Sequence, residues 1–301
     1  MVRILGFLVG LGFVGVAAWS LLWGVIAVSS DGLPHTVEQE FHEHPRDISF
    51  SFDGPFGRFD RQQLQRGFQV YRDVCASCHS LSLVSFRNLR DLGYSEAEVR
   101  AIAAQWPIPT PTINAETGET ATRPSIPADR IPSPHANEVA RSLANNPPDL
   151  SLITKARHGG PAYIASLLTG YQNPPANLPA ENRPGAGLYY NPYFPNLNLA
   201  MPPPLTADGQ VTYADGTAAT REQMATDVSA FLHWAAEPNL ESRHRMGIAV
   251  LIFLLIATIL AYMAYQNVWR TAKREVRVTG PLEPENMARS DAAKSEAGIA
   301  G

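Results

Sequence analysis

Cys75 and Cys78 are the only two cysteines in this 301-residue chain, and they stand in the run VCASCHS with His79 directly behind the second. Three chemistries use such a spacing. A CxxC pair serves thiol–disulfide exchange when it follows a strand in a βαβ unit. Structural zinc takes four ligands, and no second cysteine pair exists to supply them. The third is covalent haem attachment through C-x-x-C-H, in which both thiols add to haem vinyl groups and the histidine coordinates the iron.

The preceding residues separate these readings. In FDRQQLQRGFQVYRDVCASCH, Asp60 is placed to cap a helix, Gln63 follows three residues on, and Leu64, Phe68, Tyr71 and Val74 recur at helical spacing. The motif therefore ends a helix and does not follow a strand. At i, i+3 and i+4 the two thiols and the imidazole share one face, which a flat porphyrin can cover. The reading is one covalent c-type haem, held by Cys75 and Cys78, with His79 as an axial ligand.

What fills the sixth iron position divides an electron carrier from an open site. Of six methionines, Met1 begins the chain, Met246 and Met263 lie in or at an apolar run, and Met287 is in a polar tail. Met224 falls on REQMATDVSAFLHWAAE, where Met224, Val228, Phe231 and Leu232 form the apolar stripe of an amphipathic helix. Met201 remains, in NLNLAMPPPL. Three prolines after it exclude helix and sheet and stiffen the backbone, which suits a ligand presented from a fixed loop. The competing reading is a membrane-anchored haem enzyme or sensor with an open iron, in which Met201 is incidental.

The elements that must position these residues are distributed unevenly. Hydrophobic residues make up 45% of the chain and charged ones 17%, yet mean hydropathy is slightly negative at −0.12, so apolar residues are concentrated. Residues 4–30 form 27 consecutive uncharged positions and residues 246–269 form 24. At ~1.5 Å per residue either run exceeds a ~30 Å hydrocarbon core. The first, behind Arg3 and rich in glycine and small residues, suits a cleaved signal sequence or an uncleaved anchor equally. Arg270, Lys273, Arg274 and Arg277 follow the second, the cluster expected on the cytoplasmic side, with Arg243 and Arg245 on the other flank voting against. The organisation expected is 1–30 signal or N-terminal membrane segment, 31–240 exported domain, 241–270 transmembrane anchor and 271–301 a polar tail without structure. Residues 31–245 carry 17 basic and 23 acidic side chains, an excess that would steer a basic partner. No basic patch interleaved with aromatics exists to bind nucleic acid. Residues 106–134 hold seven prolines and read as a surface excursion. His35, His42 and His44, in an acidic stretch, read as exposed titrating side chains.

The segments RGFQVYRDVCASCHS, NPPDLSLITKARHGGPAYIASLLTGY, YYNPYFPNLNLAMPPPL and DVSAFLHWAAEP, followed by RHRMG and a membrane helix, together resemble the cytochrome c1 family, in order from about residue 50 to about 275. These are the haem-bearing subunits of the ubiquinol–cytochrome c oxidoreductase, the cytochrome bc1 complex. The resemblance implies a mainly α protein: a cytochrome c type haem domain with long irregular loops, a C-terminal single-pass transmembrane helix and an N-terminal hydrophobic segment. It implies a bacterial inner-membrane location with the haem domain on the periplasmic side. Cytochrome b, the Rieske iron–sulfur protein and a soluble or tethered cytochrome c are the implied partners, in a dimeric complex. Electrons would pass from the Rieske protein to cytochrome c, with no substrate-converting site on this chain. Carried over, the resemblance gives Cys75 and Cys78 the thioethers, His79 the proximal and Met201 the distal iron position, and sets Arg157 beside a haem propionate and Tyr163 near the same group. A guanidinium can pair bidentately with such a carboxylate; the alternative for Arg157 is an ordinary surface arginine. His158, before Gly159 and Gly160, is read as a helix-terminal cation and not a ligand. Pro202 follows Met201 where the family pattern has alanine, and the stretch before PPDLS is short, beginning at Asn145.

Overall fold

The structure is a computed structural model that describes residues 2–31, 36–275 and 284–296. In chain order the helices and strands are α1 (Val2–Asp31), α2 (Val37–Phe41), α3 (Arg61–Val70), β1 (Leu81–Ser85), α4 (Glu96–Ala104), β2 (Thr110–Ile113), β3 (Thr120–Arg123), β4 (Arg130–Ile131), α5 (Glu138–Leu143), α6 (Ile153–Ala156), α7 (Gly160–Thr169), β5 (Tyr189–Tyr190), β6 (Asn198–Leu199), α8 (Arg221–Ala236), α9 (Leu240–Glu275) and α10 (Pro284–Glu296). The protein is thus mainly α, as expected. Its strands form three two-stranded antiparallel sheets, β1 with β4, β2 with β3 and β5 with β6.

Residues up to Leu240 form one compact unit and Glu241 onward a second. In the first, α8 packs on α3 and α7. Asp60 caps α3 as expected, its carboxylate accepting from the Gln62 and Gln63 amides at 2.9 and 3.3 Å. Leu64 and Phe68 are buried along α3 and Tyr71 directly beyond it. Phe231 of α8 meets Phe68 and Tyr71 with ring centroids 5.6 and 5.7 Å apart, and Trp234 lies tilted beside it at 5.6 Å. Burying each such ring contributes on the order of 1.5–3 kcal/mol. The close approach rests on Gly67, where a side chain would collide with the α8 backbone at Asp227.

Three sequence expectations change in detail. The apolar stripe of α8 exists, with Met224, Val228, Phe231 and Leu232 buried, but Asp227, Ser229 and Ala230 are buried too, so α8 is enclosed rather than amphipathic. Ser229 tolerates this because its hydroxyl donates to the Ala225 carbonyl at 2.7 Å. The helix read through to the cysteines narrows to α3 and then widens into a π-turn at Tyr71–Cys75, closed by the Ala76 amide on the Tyr71 carbonyl at 2.8 Å. The proline-rich segment is not only a surface excursion: β2 and β3 make an exposed hairpin, but Trp106 and Ile131 at its ends are buried and β4 returns to pair with β1.

In the second unit α9 runs five residues past the expected 241–270 boundary, and Leu240–Arg270 is long and apolar enough to cross a membrane. Arg3–Ser30, within α1, passes the same test. The tail read as structureless contains α10, started by Pro284 and Glu285 and built from good helix formers, with no buried residue. His35 and Arg277 lie outside the described residues.

Candidate haem site

A cavity of about 910 Å³ opens beside the α3–α7–α8 core, and its lining includes Cys75, Cys78, His79, Arg157, Tyr163 and Met201. All six residues singled out in the sequence border one space. Its walls are largely apolar, supplied by Ile164, Leu167 and Leu168 of α7, Val228 and Leu232 of α8, and Leu150 and Ile153.

The cysteine turn is built by the π-turn that ends α3. The Cys75 carbonyl accepts from the Cys78 and His79 amides at 3.1 and 2.9 Å, so the motif closes as a single helical turn. Both thiols are free. Burial, and after it the neighbouring Cys78, push the Cys75 thiol up to about 12, so it is uncharged at neutral pH. His79 is half-buried, and its Nδ1 lies 2.9 Å from the Pro148 carbonyl oxygen. A carbonyl only accepts, so Nδ1 carries the proton and the Nε2 lone pair is left for a metal. Burial pushes this imidazole below its ordinary value, with Pro148 opposing and His135 adding to the fall, which keeps it neutral.

Around this turn the structure supplies residues that sequence reasoning missed. The Tyr71 hydroxyl donates to the His79 carbonyl at 3.1 Å, and His135 Nε2 lies 2.9 Å from the Cys78 carbonyl oxygen. Asp149 ties the chain after His79 to the Pro148 segment, accepting from the Ser80 hydroxyl at 2.7 Å and the Ser82 and Ser151 amides at 2.9 and 2.8 Å. Burial raises the Asp149 carboxyl, but the hydrogen bonds from Ser151, Ser82 and Ser80 outweigh it and hold the group below the usual carboxylate range. The doubled proline at 147–148 was the available signal for Pro148; the bonds from Tyr71 to His79, His135 to Cys78 and Ser80 to Asp149 span 8, 57 and 69 residues, beyond any local pattern.

The remaining wall comes from three segments. Arg157 is exposed and caps α6 with extended backbone, and the buried Tyr163 stands one turn into α7. Burial raises the Tyr163 phenol, and Arg157 beside it pulls the other way. Met201 follows β6 by two residues and is half-buried. Its carbonyl accepts from the Tyr171 hydroxyl at 3.1 Å. Asn145 and Asn146 line the cavity with φ of +65° and +52°, a left-handed conformation that asparagine tolerates. His158 is exposed and is absent from the lining. Among the described residues no cluster of three or more histidine, cysteine, aspartate or glutamate side chains is arranged to hold a metal, which leaves His42 and His44 as a ring pair 6.3 Å apart.

Two free thiols, a neutral imidazole with its outer nitrogen available, a thioether and a guanidinium on the rim of one apolar cavity make a donor set that fits a haem. A mainly helical domain enclosing that cavity, in a chain with helices able to cross a membrane, defines the class: a membrane-anchored haem protein. A profile of the Cytochrome C1 family matches residues 50–272. Cytochrome c1 of Rhodospirillum rubrum is 46% identical over 239 residues, covering 74% of this chain and 87% of that one. Cytochrome c1 of Blastochloris viridis is 41% identical over 283 residues, covering 86% and 96%. Cytochrome b/c1 of Bradyrhizobium diazoefficiens is 44% identical over 254 residues, 76% of this chain but 36% of that longer protein. The chain therefore belongs to the cytochrome c1 family, electron-transfer haem subunits of the cytochrome bc1 complex.

Proposed function

We propose that this chain passes electrons one at a time from the Rieske iron–sulfur protein, through one covalent haem c ligated by His79 and Met201, to a soluble or tethered cytochrome c. The observation that carries the reading is the common cavity, where the CxxCH turn and Met201 line the same apolar space. When bound, haem supplies a one-electron ferric/ferrous couple. The residues do the rest. Cys75 and Cys78 tether the group by thioethers. Pro148 holds the proton on His79 Nδ1 and so leaves the Nε2 lone pair for the iron. The thioether of Met201 is soft and favours ferrous iron, raising the potential. The apolar walls of α7 and α8 would keep water from a bound haem, and Arg157 with Tyr163, on the lining of the same cavity, would receive a propionate. With both axial positions taken, the chain needs no substrate-converting site of its own.

On this reading residues 31–240 are the haem domain on the periplasmic side of a bacterial inner membrane, 241–270 the anchor and 271–301 cytoplasmic. The basic cluster at Arg270, Lys273, Arg274 and Arg277 supports that orientation. Cytochrome b is the partner for the anchor helix within a dimeric complex, a pairing favoured by the fused name of the Bradyrhizobium relative. The acidic excess of the exported part favours a basic cytochrome c.

Carbon monoxide added to the dithionite-reduced protein is the test. A site with both axial positions occupied leaves the spectrum nearly unchanged, and Met201→Ala opens it to CO and lowers the potential. Prompt CO binding by the parent, or a Met201→Ala variant indistinguishable from it, overturns the ligand assignment. Haem extracted by acid acetone would overturn the covalent attachment.

A further inference from the structure

The loop that carries Met201 has an unusual anchorage problem. Pro202, Pro203 and Pro204 follow it without a backbone N–H among them, so this stretch cannot donate to anything. On the C-terminal side of Met201 the backbone can be hydrogen-bonded only through its carbonyls. Two of these are engaged: Pro204 accepts from Gln210 Nε2 at 2.9 Å, and Met201 accepts from the Tyr171 hydroxyl at 3.1 Å.

Tyr171 is itself firmly set. It follows Gly170 at the end of α7, where the Tyr193 ring fills the place a side chain would take, 2.4 Å from an added Cβ. Asn191, wholly buried, donates from Nδ2 to the Leu167 carbonyl at 2.8 Å and accepts the Tyr193 amide at 3.1 Å. The end of α7 thus grips the β5–β6 hairpin before Met201, and the Tyr171 phenol grips Met201 itself.

We propose that Tyr171 is a positioning residue for the distal ligand: its hydroxyl, bonded to the Met201 carbonyl, fixes the backbone from which the thioether is presented. This rests on the His79/Met201 reading. A purely structural Tyr171 would affect stability alone; a positioning residue also affects the iron, because a ligand held by a looser backbone leaves it more often.

The test uses the haem-loaded full chain in its membrane complex, with Tyr171→Phe, Met201→Ala and the double variant. Tyr171→Phe is expected to bind CO in the reduced state about ten-fold faster than the parent, the loss typical of a removed supporting hydrogen bond around a metal. Its potential is expected to fall. In the Met201→Ala background Tyr171→Phe should add nothing further. If Tyr171→Phe fails to accumulate, Tyr171→His keeps a shorter donor and should fall between parent and Met201→Ala in CO rate. A Tyr171 variant with a lowered unfolding midpoint but the parent's CO rate and potential overturns the proposal while Met201→Ala still opens the site. A Met201→Ala variant with parental CO behaviour overturns the ligand reading beneath it.

Discussion

Gly67 of α3 lies directly against the backbone of Asp227 in α8: a Cβ added there would sit 2.1 Å from the Asp227 carbonyl oxygen and 2.7 Å from the Phe231 Cβ. Neither neighbour is the free end of a flexible side chain, so the helices must separate to admit even a methyl group. Gly67→Ala is expected to cost about 1–3 kcal/mol, the usual range for overpacking a filled core. Far-ultraviolet circular dichroism in guanidinium reports it as a lowered midpoint with the slope unchanged. An unshifted midpoint would mean that the α3–α8 crossing has room for a methyl group.

One residue before Gly67, Arg66 bridges two carboxylates. Its Nε lies 2.9 Å from Asp227 and an Nη 2.7 Å from Asp215, with the guanidinium 5.9 Å above the Tyr213 ring. Asp227 is wholly buried, so Arg66→Leu strands a charge in the core and should cost about 3–5 kcal/mol. The lower end is expected, because Gln223 still donates to Asp227 at 2.8 Å. Adding Asp227→Asn should recover much of the loss, since the stranded charge disappears. A double-mutant cycle measures the coupling, and simple additivity would contradict it.

How far the sequence reaches can be judged at these same residues. The capping Asp60 and the stripe of Met224, Val228, Phe231 and Leu232 are local patterns with fixed periods, and both lie where spacing puts them in the fold, whereas the helix read through to the cysteines gives way to a π-turn at Tyr71–Cys75. Met201 was singled out by elimination because prolines remove its structural alternatives, and it lines the same cavity as the cysteine turn. Asp227 was not, because a buried carboxylate in α8 makes sense only once Arg66, 161 residues earlier, is beside it. Tyr171 and His135 escaped for the same reason: each bonds a backbone carbonyl distant in sequence, and carbonyls leave no trace in residue identity. The burial of Trp106 and Ile131 escaped because seven prolines mask the two apolar ends of their segment.

Asp149 gives the fold an acid limit near the cysteine turn. Its folded carboxyl is held below the ordinary value of about 3.9, so its contribution is complete above that value and is lost as pH falls through the lower, folded one. Protonation weakens the grip on Ser80, Ser82 and Ser151 together, loosening the segment that carries Pro148. Asp149→Asn should lower stability at neutral pH by about 1 kcal/mol, allowing for solvent screening, and flatten the decline below pH 4. Urea titrations between pH 3 and 7 compare the two slopes; equal slopes would remove Asp149 from the account.

Arg157 separates a working cation from an ordinary surface arginine. It is exposed, yet it borders the cavity and stands close enough to Tyr163 to pull that phenol downward against its burial. A positive charge there stabilises the reduced site, which carries one unit less positive charge at the iron, over the oxidised one. Arg157→Gln should therefore lower the reduction potential, by about 20–40 mV if the interaction is worth about 0.5–1 kcal/mol in partly solvated surroundings. The same change should push the Tyr163 phenol higher still, since only burial remains to act on it. Arg157→Lys keeps the charge without the fork and should recover most of the potential, a pattern that loss of packing alone would not produce. A redox titration of the three proteins decides it, and a Gln variant at the parent's potential would return Arg157 to the surface.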